Sequence, residues 1–294
     1  MDTPIPDFSH IVETVKPGAA TGSIAAVSGG SIHAAWRVEV DGTPFFVKVN
    51  RADCAPQFAC EATGLARLAG TGTVRVPEVL ATGSDGVHAW LALEWLDLRP
   101  LDASAGNRLA ESLAALHRVG DENFGLDHDN FIGTTPQVNT PHFLWPWFFA
   151  HRRLAPQLQQ AAINGLERTM VDKGFRLVER LAAFFLDRRV APALVHGDLW
   201  SGNAAMLPDG TPVVFDPAIH FADRETDLAM AELFGGFPSG FYAAYRRAAP
   251  VAEGYEQRKT LYNLYHVLNH FNLFGRAYRS QVGRMIESTL AELR

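Results

Sequence analysis

Phe8, Ile11, Val12 and Val15 share one face of a repeat of about 3.6 residues, and Pro17-Gly18 stops it, which predicts a short amphipathic helix. Alternation then takes over. Ile24 to Val27, Ala35 to Val40 and Phe45 to Val49 read as three antiparallel strands, joined at Ser28-Gly29-Gly30-Ser31 and at Asp41-Gly42. A helix follows with its apolar stripe at Phe58, Leu65 and Leu68. Val79 to Thr82, a turn over Gly83 to Gly86, and Val87 to Trp95 add two strands. The chain then turns polar and proline-marked at Asp97-Leu98-Arg99-Pro100, and helical periodicity dominates beyond it. Leu109, Leu113 and Leu116 begin it, and long segments around residues 147 to 187, 223 to 248 and 255 to 293 continue it. The pattern predicts an α+β chain in two lobes. Residues 1–96 form a small lobe of a five-stranded antiparallel sheet with one main helix, and residues 97–294 a larger, mainly α-helical lobe.

Two charges interrupt the apolar pattern of the small lobe. Lys48 stands inside Phe45-Phe46-Val47-Lys48-Val49, either as an edge-strand gatekeeper or as a buried charge with a partner. Glu61 falls on the stripe of the following helix, so its carboxylate faces inward and needs a cation. Paired with Glu61, Lys48 could hold the α- and β-phosphates of a nucleotide. The glycine-rich turn offers backbone amides to phosphate oxygens at Gly29, Gly30 and Ser31, although Gly-Gly is also the plainest hairpin turn.

The chemistry concentrates in ALVHGDLWSGNAAMLPDGTPVVFDP, residues 193–217. Leu194 and Val195 lead into His196-Gly197-Asp198, Asn203 follows five residues after Asp198, and a hairpin turning at Pro208-Asp209-Gly210 returns to Asp216. Three oxygen-bearing side chains thus come back to one place. Magnesium, which dehydrates reluctantly, suits one or two protein oxygens plus phosphate oxygens, and Asn203 and Asp216 can supply them. Asp198 is left free to orient an acceptor hydroxyl and take its proton. The spacing agrees with the kinase loop H-R-D-x-x-x-x-N, with Gly197 in the Arg position, and Asp216-Pro217-Ala218 stands where D-F-G stands in those enzymes.

Other candidates surround this segment. Backbone groups of a hinge at Glu94 and Leu96 could bond the adenine edge. Asp227, opening a helix after the metal strand, reads as a brace or cap for the catalytic loop. Phe143, Trp145, Trp147, Phe148 and Phe149 form an aromatic cluster that fits core or pocket. Asn263, His266 and His270 draw a polar line on an otherwise apolar helix. Each histidine alone reads as a satisfied core residue, and no cysteine or carboxylate completes a metal cluster with them. Together with Trp200 the line is the best candidate for part of an acceptor pocket.

Composition narrows the class. The chain has 294 residues, 47% hydrophobic and 20% charged, with a formal net charge of −6. That balance argues against nucleic acid as a partner. No apolar run approaches a membrane span, and the N-terminus lacks the basic region and apolar core of a signal peptide. Cys54 and Cys60 form no C-x-x-C, which fits a reducing cytoplasm. A monomer is the expected assembly.

HGDLWSGN at 196–203, DPA at 216–218, DLAM at 227–230, LFGGF at 233–237, the helix LYNLYHVLNHFNLFG and FIGTTPQVN at 131–139 together resemble the fructosamine kinase (ketosamine 3-kinase) family over nearly the whole chain. HGD with a later Asp is shared with aminoglycoside and choline kinases, whereas the tryptophan after HGDL, LFGGF and the LNH helix are more particular. The resemblance implies a bilobal protein-kinase-like fold that uses ATP and Mg2+. It implies phosphorylation of the 3-hydroxyl of fructosamine, ribulosamine or erythrulosamine adducts of amines or protein lysines, which releases the amine and repairs glycation. On this resemblance Asp198 is the base, Asn203 and Asp216 the metal ligands, and Lys48 with Glu61 the phosphate pair. Ser31 departs from the family, many of whose members carry cysteine there. Two other readings stay open: a small-molecule kinase of the aminoglycoside or choline type, and an inactive nucleotide-binding module.

Overall fold

The structure is a computed structural model and describes residues 6–28 and 32–293. Gly29, Gly30 and Ser31 lie outside the described residues. Helix α1 (Phe8–Val15) is capped by Asp7, whose Oδ1 accepts from Ser9 N, and lays Phe8, Ile11 and Val12 inward as its periodicity predicts. Strands β1 (Thr21–Val27), β2 (Ala34–Val40), β3 (Thr43–Arg51), β4 (Val79–Ser84) and β5 (His88–Glu94) form one sheet in the order β1-β2-β3-β5-β4, every pair antiparallel. The first strand begins earlier than the apolar run at Ile24 suggests, and a register irregularity separates Thr21 from Ile24. Helix α2 (Ala55–Gly70) covers the other face.

Strand alternation assigns the two faces. Phe45, Val47 and Val49 of β3 and Trp90 and Ala92 of β5 pack with Phe8, Ile11 and Val12. Ala89, Leu91 and Leu93 pack on the opposite side with Phe58, Leu65 and Leu68 of α2, and that cluster continues into the helical region through Leu109, Leu113, Leu194, Val214 and Phe241. One hydrophobic core therefore joins the sheet to the rest of the molecule. Lys48, with the parity of Phe46, falls on this face and so toward α2.

After β5 an irregular stretch leads to α3 (Ala103–Leu116), capped by Asp102 Oδ1 on Ala105 N at 2.7 Å. A short hairpin of β6 (Asn130–Ile132) and β7 (Thr135–Gln137) follows. The segment expected to be helical around 147 to 187 is broken: α4 (Trp145–Phe148) passes through a π-helical turn (Phe149–Leu154) into α5 (Ala155–Ile163), and α6 (Arg168–Arg180) follows Gly165. Strands β8 (Ala193–Val195), β9 (Ala204–Met206), β10 (Pro212–Val214) and β11 (His220–Ala222) form two small antiparallel pairs, β9 with β10 and β8 with β11. The remaining segments also divide, into α7 (Glu225–Leu233) and α8 (Gly240–Ala248), then α9 (Tyr255–Phe274) and α10 (Arg279–Ala291). Glycine makes both breaks: Gly235, Gly236 and Gly275 all have positive φ, a conformation that ends a helix. The aromatic cluster splits as well, with Trp145, Phe148 and Phe149 in the core and Phe143 69% exposed.

Candidate active site

Strand β8 is buried along its whole length and ends at Val195, so the polar turn His196-Gly197-Asp198 emerges directly from the core. The β9–β10 pairing sets Ala204 opposite Val214, which brings the flanking Asn203 and Asp216 to the same end of the hairpin. Phe215 N donates to Asn203 O at 3.1 Å, and Ala218 N to His196 O at 2.9 Å, tying both ends to the loop. Gly197 has a φ of +85°, and a Cβ there would lie 2.1 Å from Ala218 O. Only glycine can occupy the place where the kinase motif has arginine. Asp216 itself sits in the left-handed region at φ +58°, a conformation Asp tolerates better than most residues.

Asn203 Nδ2 donates to Asp198 O at 2.9 Å and to Asp198 Oδ2 at 3.1 Å. Its amide nitrogen is thus committed to the candidate base, and Oδ1 is the atom presented elsewhere. Burial, and then the charge of Asp216, push the Asp198 carboxyl up to about 7. Lys48 donates to Glu61 Oε1 at 2.7 Å and to Asp216 Oδ1. It lies in a strand with neighbours on both sides, so it is the buried, paired lysine and no edge gatekeeper. Burial alone would lower its pKa, but Asp216 and Glu61 outweigh that and raise it, so the ammonium stays charged.

The oxygens fit magnesium. Among the described residues no group of three His, Cys, Asp or Glu side chains could hold an ion by itself. One amide oxygen and one half-exposed carboxylate, beside a lysine suited to phosphate, match the sparse protein ligation that Mg2+ takes when phosphates complete its shell.

Asp227, in the first turn of α7, braces the loop: Oδ2 accepts from His196 N at 2.7 Å and Oδ1 from Gly197 N at 2.8 Å, with His117 Nε2 3.2 Å from Oδ2. Burial raises the Asp227 carboxyl, but the hydrogen bond and charge of His117, with His196 and the Gly197 amide, prevail and hold it below its ordinary 3.8. A depressed carboxyl stabilises the fold above its unfolded pKa, and this contribution disappears as pH falls through the folded value. Asp227→Asn is therefore expected to cost about 3 kcal/mol at neutral pH, the scale of a broken buried charge network. The gap between the wild-type and variant melting temperatures should close as pH drops below the carboxylate range. A gap independent of pH would refute a charged brace.

Aromatic rings surround Trp200. The Trp200 ring lies over Gly202, where a Cβ would meet it at 2.3 Å, and makes an edge contact with Phe234 at 5.9 Å. Phe234 contacts His270 at 4.7 Å, and His270 contacts Tyr278 at 5.1 Å and Phe274 at 5.5 Å. His266 Nδ1 stands 4.0 Å from Asp198 Oδ1. Asn263 is buried on the same helix, with no hydrogen-bond partner for its Oδ1. Trp200 and His270 are thus joined through Phe234, whose only sequence signal was its place in LFGGF. At the hinge, Arg75 Nη2 binds both Glu94 carboxylate oxygens, at 2.6 and 2.5 Å, so that side chain braces the linker while Leu96 is half-buried. Arg99 and Met206 exchange two backbone hydrogen bonds of 2.8 Å just beyond.

A buried polar network supports the loop from behind, and the sequence did not disclose it. Arg153, in the π-helical turn, donates to Asn139 Oδ1 at 2.6 Å, Asn139 Nδ2 to Asn130 Oδ1 at 2.8 Å, and Asn130 Nδ2 to Ile219 O at 2.8 Å. Tyr265 OH of α9 donates to Gln137 Oε1 at 2.6 Å. FIGTTPQVN thus links α9 to the backbone just after Asp216-Pro217.

Comparison with known proteins finds relatives over nearly the whole chain. The family model described as fructosamine kinase matches residues 7–292. A probable ketoamine kinase of Synechocystis sp. is 46% identical over 270 residues, 90% of this chain and 89% of that protein. The chloroplastic protein-ribulosamine 3-kinase of Arabidopsis thaliana is 38% identical, over 92% of this chain and 83% of its own. The crystal structure of a candidate fructosamine-3-kinase from Haemophilus somnus superposes with a TM-score of 0.88 at 30% identity, covering 96% of each chain. An aminoglycoside phosphotransferase at 17% identity and a TM-score of 0.66, covering 97% of this chain and 98% of its own, shares the fold alone. From the sheet order through the catalytic loop to the C-terminal helices, the chain belongs to the fructosamine kinase family, which are kinases acting on a hydroxyl group.

Proposed function

We propose that this enzyme transfers the γ-phosphoryl group of ATP, with Mg2+, to the 3-hydroxyl of a sugar ketoamine carried on a small amine or a protein lysine, and so acts in deglycation. The observation that carries the reading is the convergence of Asp198, Asn203, Asp216, Lys48 and Glu61 at one end of the β9–β10 hairpin, beside the aromatic line from Trp200 to His270. The names of the Synechocystis and Arabidopsis relatives supply the acceptor class.

Asp198 holds the acceptor hydroxyl and takes its proton as the oxygen bonds to the γ-phosphorus and the bond to the β-phosphate oxygen breaks, releasing ADP. A carboxyl pushed up to about 7 is matched to proton abstraction near neutral pH. Lys48, fixed by Glu61, cradles the α- and β-phosphates. Asn203 and Asp216 hold Mg2+, which neutralises phosphate charge when bound. The backbone at Glu94 and Leu96 meets the adenine edge. A neutral sugar ring packs on Trp200 and Phe234, whereas a polycationic antibiotic would call for carboxylates at that wall. Cys54 and Cys60 are both free thiols, in keeping with a reducing cytoplasm. No helix among the described residues is long and apolar enough to cross a membrane.

The test compares ADP release on ribulose-lysine, fructose-lysine, kanamycin and choline at equal concentration, with phosphorus NMR locating the product phosphate. Turnover of the lysine adducts with phosphate on O3 is the expected result. Activity confined to kanamycin or choline would overturn the ketoamine reading, and nucleotide binding without any turnover would favour an inactive module.

A further inference from the structure

His266 is buried in the middle of α9, and its Nδ1 has no hydrogen-bond partner. A buried polar atom left unmatched costs about 1–3 kcal/mol, so a lone nitrogen in a core needs a reason. An acceptor stands close by: Asp198 Oδ1 is 4.0 Å away, too long for a hydrogen bond. The other carboxylate oxygen, Oδ2, is already held by Asn203 Nδ2 at 3.1 Å. The carboxylate therefore stands between two side chains, one engaged and one waiting.

We infer that His266 is a positioning residue for the proposed base: its Nδ1–H closes onto Asp198 Oδ1 when the acceptor arrives, and with Asn203 on Oδ2 it fixes the plane in which the carboxylate meets the hydroxyl. The movement needed is about 1 Å, within the slack by which catalytic hydrogen bonds tighten between the free enzyme and its complexes. The imidazole is neutral, since burial foremost, then His270, pulls its pKa down to about 3 despite Asp227. A neutral ring carries one proton, and the neighbouring carboxylate favours it on Nδ1. The neighbouring His270 ring is held by a separate contact, its Nδ1 donating to the His266 carbonyl at 2.8 Å.

The inference rests on the reading of Asp198 as base, and a graded series separates the two. Asparagine places an amide nitrogen near the imidazole Nδ1, whereas glutamine reaches the Nε2 position. With ribulose-lysine and fructose-lysine as acceptors, His266→Ala should lower kcat by roughly tenfold or more, the scale of losing an orienting contact, while the KM for ATP and its Kd hold. His266→Asn should recover most of the rate and His266→Gln should not. In an Asp198→Asn background, His266→Ala should reduce the residual rate no further, because the group it orients is gone. Wild-type kcat in His266→Ala, or equal losses of rate and melting temperature in the Ala, Asn and Gln variants, would overturn the positioning role while leaving the base in place. If Asp198→Asn keeps full activity, or the wild type turns over neither adduct, the underlying reading fails and the inference falls with it.

Discussion

Asp198→Asn is expected to lower turnover by roughly a hundredfold or more, the usual scale for loss of a general base, and to leave magnesium-nucleotide affinity within about twofold of the wild type. The variant is nearly isosteric, and its Oδ1 can still accept from Asn203 Nδ2, so the loop geometry persists. What disappears is the site that takes the proton. The same substitution should raise the melting temperature above neutral pH. A carboxyl whose folded pKa is raised contributes stability below its unfolded value and loses it as pH climbs through the folded one, here about 7. In the nucleotide-free enzyme at pH 8, ionised Asp198 faces Asp216 at a net cost, which the amide removes. Steady-state kinetics, nucleotide titration and thermal melts across pH measure all three effects. Near wild-type turnover would take Asp198 out of the mechanism.

Asp216→Ala and Lys48→Ala are both expected to impair nucleotide binding, with different signatures. Asp216 carries one of the two proposed metal oxygens, so its loss should weaken magnesium-dependent binding by at least about tenfold while leaving the metal-free component unchanged. Lys48→Ala should weaken binding even at saturating magnesium, because the phosphates lose their own cation. It should also cost about 3–5 kcal/mol of stability, since Glu61 is left buried beside Asp216 without its partner. Lys48→Met combined with Glu61→Gln restores stability without restoring binding, which separates the two roles. Normal magnesium-nucleotide binding and turnover by Asp216→Ala would show that the metal ligands lie elsewhere.

The fold was legible where the information is periodic. Strand alternation places Phe45, Val47 and Val49 on one face and Lys48 on the other, and helical spacing turns Glu61 inward, so a paired lysine and glutamate were readable before any contact was known. The five-residue interval from Asp198 to Asn203 and the hairpin back to Asp216 were equally local, because a tight turn returns both strand ends to one place. Periodicity also overran its evidence: three long helical segments were in fact interrupted at glycines or passed through a π-helical turn, since an apolar repeat carries across a break that the backbone does not.

Partners distant in sequence belong to the other category. A repeat tells which face a side chain occupies and says nothing about what packs there. Asp227 could be read as a brace, but its two backbone donors at His196 and Gly197 follow only from α7 docking beneath the loop. Nothing in FIGTTPQVN announces the chain from Arg153 through Asn139 and Asn130 to Ile219, because buried amides satisfy one another only once three separate segments have met. Phe234 joined Trp200 to His270 by the same route. The polar line of Asn263, His266 and His270 was visible from spacing, yet the position of His266 beside Asp198, with an unspent nitrogen, depended on where α9 lies against the loop that follows β8. The sequence by itself determined most strands and helices, their buried faces and the return of Asp198, Asn203 and Asp216 to one hairpin end, which are set by interactions a few residues apart. The tertiary structure alone decided which faces meet, because that choice depends on side-chain volume and hydrogen-bond matching summed over the whole core.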